Sequence, residues 1–173
     1  MKPETEHLKY FALGLLLVTT HIFIFGKYGP TVRFAAYGLL CTILLAACLT
    51  DMVNHTIPDR IIILGLLTGT AAAAANPSAG IPGAVLGSVF GAGLPALLSR
   101  LTRGGIGAGD VKLFACVGIF LGPDQTLSAL LASTVLSGIA GLILAVARCR
   151  SMRDSIPFTP FIYIGCTAVI LLA

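Results

Sequence analysis

The sequence predicts an all-α polytopic membrane protein, a bundle of about six to seven transmembrane helices, and three observations predict it. The chain is 57% hydrophobic and only 10% charged, whereas soluble domains carry about a quarter charged residues. Its mean hydropathy is +0.98. The apolar residues fall into long runs separated by short polar connections, and a membrane-spanning helix asks for about 20 mostly apolar residues.

Taken in order, the runs are Tyr10–Phe25, Val32–Thr50, Arg60–Ala75, Ile81–Ser99, Val111–Leu121, Leu127–Ala147 and Pro157–Ala173. The first follows a polar leader containing Lys2 and Lys9, as a signal peptide would, but it ends in Phe25-Gly26-Lys27 with no small-residue cleavage pattern. It reads as a retained span. The fifth run is short. It is expected to form a helix of its own, because Gly122-Pro123-Asp124 makes a stop after it. Small residues recur at four-residue spacing in Gly65, Gly69 and Ala73 and in Gly83, Gly87 and Gly91; such rows let helices approach closely in lipid. The connections are short, so one domain over residues 1–173 is expected.

Orientation follows from the Lys and Arg count in the loops. With the N-terminus cytoplasmic, one face carries Lys2, Lys9, Arg60, Arg100, Arg103, Lys112, Arg148, Arg150 and Arg153, and the other carries Lys27 and Arg33. The net charge of +4 is small and scattered, so no nucleic-acid partner is expected, and membrane lipid is the implied surroundings. The five cysteines (Cys41, Cys48, Cys116, Cys149 and Cys166) form no CxxC pair and mostly lie in apolar runs; they read as buried thiols. His55 has no companion His or Cys nearby, so no metal site and no cofactor is expected.

The chemistry is sought among the seven acids, because ionisable groups at a membrane edge are costly to desolvate. Glu4 and Glu6 belong to the leader, Asp124 to a turn on the sparsely charged face, and Asp154 to an arginine-rich loop. Asp51, Asp59 and Asp110 remain. Asp51 ends the second run and Asp110 opens the fifth. Those two helices run in opposite directions, so both acids reach the cytoplasmic membrane edge at one depth. Two carboxylates sharing a proton titrate as a unit and can hold a water between a general base and a general acid. Asp110 follows Gly104, Gly105, Gly107 and Gly109; these can take positive φ and leave room for an extended peptide. A membrane-edge Asp is also an ordinary N-cap or solvated flank. Pro58 and Asp59 read as ordinary helix-start chemistry, and Lys112 as a positive-inside flank or a partner for a carboxylate. The dinucleotide and P-loop glycine patterns are both absent.

Asp51, then after five intervening residues Ile57-Pro58-Asp59, then Gly107-Ala108-Gly109-Asp110-Val111-Lys112-Leu113, then Pro157-Phe158-Thr159-Pro160-Phe161, form an ordered set. It resembles the type IV prepilin peptidases, membrane aspartyl proteases with a GxGD signature, over a core of roughly residues 40 to 165. The resemblance implies that Asp51 and Asp110 are the catalytic pair, with Gly107, Gly109, Lys112, Asp59 and Pro58 in substrate-binding or supporting places. It implies cleavage of a prepilin or pseudopilin precursor, with a basic leader and an apolar helix, at the cytoplasmic face of a bacterial or archaeal inner (cytoplasmic) membrane. The oligomeric state is left open. Long members of the family carry a methyltransferase region with paired CxxC motifs. None occurs in these 173 residues, so the chain resembles the short form, and no product N-methylation is expected. Thr159 departs from the glycine common in the third landmark. In the presenilin-like GxGD proteases a Pro-Ala-Leu motif follows the aspartate, whereas Pro95-Ala96-Leu97 precedes it here. The alternative reading from another class is a small transporter or channel, with Asp51 and Asp110 as an ion or proton relay.

Overall fold

The structure is a computed structural model of the 173-residue chain, and it describes residues 3–75, 80–102, 105–147 and 157–173, with side chains from residue 11 onward. The sequence readings of Lys2, Arg103, Gly104, Arg148, Cys149, Arg150, Arg153 and Asp154, and of the side chain of Lys9, lie outside what is described. The elements are α1 (Pro3–Tyr28), α2 (Val32–Asn54), α3 (Asp59–Ala75), α4 (Gly80–Leu101), α5 (Ala108–Val146) and α6 (Thr159–Leu172). Four of them, α1, α2, α4 and α5, contain stretches long and apolar enough to cross a membrane. Outward-facing Leu15, Val18, Ile22, Val85, Val89, Leu131 and Leu142 present the apolar surface that lipid requires.

The stop expected at Gly122-Pro123-Asp124 is a sharp break inside one 39-residue helix. Gly122 has φ 75° and ψ 178°, a conformation that an L side chain adopts only with strain. Pro123 then begins the next turn, where its missing N–H costs nothing. The chain therefore does not loop out over 122–126; Asp124 already stands in helix. The break reverses the chain. Gly91 of α4 faces both Phe114 before the break and Thr126 after it, and Thr134 and Ser137 return to the level of Ile106. At 1.5 Å per residue the two limbs cover roughly 20 Å and roughly 36 Å. One straight helix would run roughly 58 Å, about twice a bilayer's hydrocarbon core.

Glycine rows set the spacing between these helices. A Cβ on Gly87 would overlap the backbone carbonyl of Gly118, and one on Gly91 the carbonyl of Phe114. On Gly65 it would meet the Cys116 sulfur, and on Gly69 the Phe120 ring. Helices α3 and α4 thus press directly against the first limb of α5. Leu40, Leu44, Leu113, Phe114, Val117, Ile162 and Cys166 fill the centre between α2, α5 and α6.

Helix α6 is tied along its length. At its C-terminal end, where the last carbonyls lack helical partners, Tyr28 Oη donates to the Ile170 carbonyl at 2.9 Å and Lys27 Nζ to that of Leu171 at 2.9 Å. The cation also suits the negative end of the helix dipole. Midway, the Thr20 and Tyr163 hydroxyls share a buried hydrogen bond of 2.9 Å. These ties settle how far α6 slides along the bundle, and so where Thr159 at its other end comes to lie. Among the described residues Cys41, Cys48, Cys116 and Cys166 are free and buried.

Candidate active site

A cleft of about 430 Å³ opens at the end of the bundle where α2 finishes and α3 and α5 begin. Its walls include Asp51, His55, Ile57, Asp59, Asp110 and Lys112. Asp51 lies in the last turn of α2 and is only 8% exposed. The helix ends just beyond it because His55 takes a left-handed conformation (φ 51°), with its N–H on the Asp51 carbonyl at 2.9 Å. A residue in that conformation is a common helix stop, and His tolerates it better than most residues other than glycine.

Asp110 enters from the opposite direction. Gly107 is the N-cap of α5, which makes Asp110 its third helical residue. Its carboxylate turns back over Gly107, as an acid at this position does in a capping box. Both carboxylates line the same cleft. Asp110 is thus both a helix-start residue and a cleft residue.

Of the two uses expected of the glycines before it, positive φ and the lack of a side chain, the described residues show the second. Among Gly105, Gly107 and Gly109, none has positive φ, so conformational freedom is not what this stretch uses. Lack of a side chain is. A Cβ on Gly107 would sit 3.2 Å from Asp110 Oδ2, tighter than ordinary contact. On Gly109 it would meet Ile57 at 3.5 Å, an ordinary distance. Ser99 Oγ donates to the Ile106 carbonyl at 2.6 Å and ties the approach to α5 onto the end of α4.

Lys112 Nζ and Asp59 Oδ1 form an ion pair of 2.7 Å that joins α5 to α3 at the cleft rim. Both side chains are more than half exposed, so the pair contributes at most about 1 kcal/mol. Pro58 stands just before α3, with the Ile61 N–H on its carbonyl at 3.0 Å. It does not line the cleft.

Thr159, noted in the sequence only as a departure from a common glycine, is the residue to which sequence reasoning gave no role. It is fully buried at the start of α6, and both its donors reach one carboxylate oxygen. Thr159 Oγ1 donates to Asp51 Oδ2 at 2.7 Å, and its backbone N–H donates to the same oxygen at 3.3 Å. The only signal in the sequence was the hydroxyl residue inside Pro157-Phe158-Thr159-Pro160-Phe161. Phe158 packs over Phe114, with ring centroids 6.2 Å apart.

With this geometry in place, residues 38–145 match the type IV leader peptidase family. The chain belongs to that family. Family membership does not favour the relay alternative. A prepilin leader peptidase/N-methyltransferase of Bacillus subtilis is 30% identical over 155 residues, which are 86% of this chain and 61% of that protein. Proteins of the same description from Burkholderia pseudomallei (31% identical, 85% and 48% covered) and Pseudomonas putida (33% identical, 80% and 50% covered) also match. The chain thus spans about half to three fifths of the length of these relatives. No solved structure matches.

Proposed function

We propose that the chain is an aspartyl endopeptidase, a single transmembrane peptidase domain that removes the basic leader from type IV prepilin-like precursors. The observation that supports this most is the meeting of Asp51 and Asp110 in one cleft, in a chain of the leader peptidase family. One carboxylate takes a proton from a water as its oxygen attacks the scissile carbonyl. The other carboxyl group, which starts protonated, gives its proton to the leaving nitrogen, the C–N bond breaks, and one water is consumed. Gly107 keeps the Asp110 carboxylate clear, and Gly109 leaves the α5 entrance without a side chain where an extended peptide would lie. Asp59, held by Lys112, is available to a leader lysine or arginine, which would displace Lys112 at little cost because the pair is exposed.

The site faces the cytoplasm in this reading, in the inner (cytoplasmic) membrane. Support comes from the nine-to-two distribution of Lys and Arg in the sequence. Among the described residues, Arg60, Arg100 and Lys112 belong to the cleft end, and Lys27 and Arg33 to the far end.

The test uses purified protein in proteoliposomes, given a synthetic precursor with a basic leader and an apolar helix. Cleavage without cation flux is expected. Proton or cation flux with an intact precursor would replace the peptidase reading by the relay.

A further inference from the structure

We propose that Thr159 is a positioning residue for Asp51: it engages Oδ2 and so leaves Oδ1 as the oxygen that works in the cleft. The inference rests on the peptidase reading and adds to it a residue outside the two acids.

The geometry is specific. Among the described residues, Thr159 is the one donor to the Asp51 carboxylate, and it reaches a single oxygen through both hydroxyl and N–H. A carboxylate held by two donors on one oxygen cannot rotate without losing both, so the plane of Asp51 is set by α6. The N–H is one of the orphan donors of a helix start. The hydroxyl adds a shorter, charge-assisted bond. Pro160 follows Thr159 and has no N–H to lose in this first turn. The C-terminal ties of α6 to Lys27 and Tyr28 keep Thr159 at the depth of Asp51. In this arrangement Oδ1 accepts the proton of the attacking water, and Asp110 delivers the proton to the leaving nitrogen.

Among the described residues, the groups that face this pair are few. Asp110 and Lys112 come from α5, His55 from the end of α2 and Asp59 from α3, and Cys48 lies one turn before Asp51 on α2. Helix α6 contributes no ionisable group to the cleft.

The experiment compares Thr159→Val, Thr159→Ala and Thr159→Ser with Asp51→Asn and the unaltered chain, using purified protein and a synthetic precursor. Valine keeps the shape and loses the hydroxyl. Losing a hydrogen bond to a charged group is expected to lower kcat roughly ten- to a hundredfold with KM little changed. Serine should restore kcat to within about threefold. If valine does not give folded protein, alanine against serine decides the same question. Loss of activity in Asp51→Asn together with wild-type kcat in the valine or alanine variant would overturn the role of Thr159 and leave the peptidase reading standing. Cleavage by Asp51→Asn would overturn the reading itself.

Discussion

Gly107→Ala separates catalysis from stability at one atom. The backbone at Gly107 is extended, with φ −67° and ψ 148°, which alanine adopts without strain. The fold should therefore tolerate the change, and the lost freedom of the unfolded chain should add about 0.4–1 kcal/mol of stability. The new methyl, however, would lie 3.2 Å from Asp110 Oδ2, some tenths of an ångström inside ordinary contact. The carboxylate must turn or retreat by that amount. Misplacement of a reacting group by about 1 Å costs on the order of a hundredfold in rate, so a shift of some tenths should cost about three- to thirtyfold in kcat. The assay is precursor cleavage by purified protein, followed by gel or mass, beside a thermal melt in the same detergent. Reduced kcat with an unchanged or raised melting temperature is the expected pair of results. Full activity would show that the Gly107 edge does not hold the working position of Asp110. Lost activity with a lowered melting temperature would show that the glycine serves the fold.

Two further outcomes follow from the same geometry. Asp59→Ala removes an exposed ion pair and should leave stability within about 1 kcal/mol, with a loss of cleavage seen mainly in KM for basic leaders; a loss in kcat equal to that of Asp51→Asn would place Asp59 in the chemistry. Gly122→Ala forces a methyl into left-handed backbone at the reversal of α5 and should destabilise by about 1–2 kcal/mol, read as a lower melting temperature, whereas an unchanged melt would mean that the reversal does not depend on that conformation.

Much of the architecture was legible because lipid makes hydropathy a strong constraint. Without water inside the bilayer, backbone polar groups must pair within each helix, so apolar runs mark helices directly. Counting helix directions was enough to bring the end of Val32–Thr50 and the start of Val111–Leu121 to one edge, and the cleft does contain both Asp51 and Asp110. What was not legible is rotation about the helix axes. The Lys112–Asp59 pair and the aim of Thr159 at Asp51 depend on how α3, α5 and α6 turn toward one another. Side-chain contacts such as Gly165 against Ser133 help to set that rotation. The glycines before Asp110 illustrate a different limit. Glycine permits positive φ but does not require it, and here the stretch uses the missing side chains instead.

The central claim is that two aspartates from separate helices act as one hydrolytic unit. The direct measurement is mass spectrometry of a synthetic prepilin-like precursor after incubation with purified wild-type, Asp51→Asn and Asp110→Asn protein. The account predicts two products from the wild type whose masses sum to the precursor plus one water, and intact precursor with each variant. Wild-type cleavage that persists in either variant would contradict it.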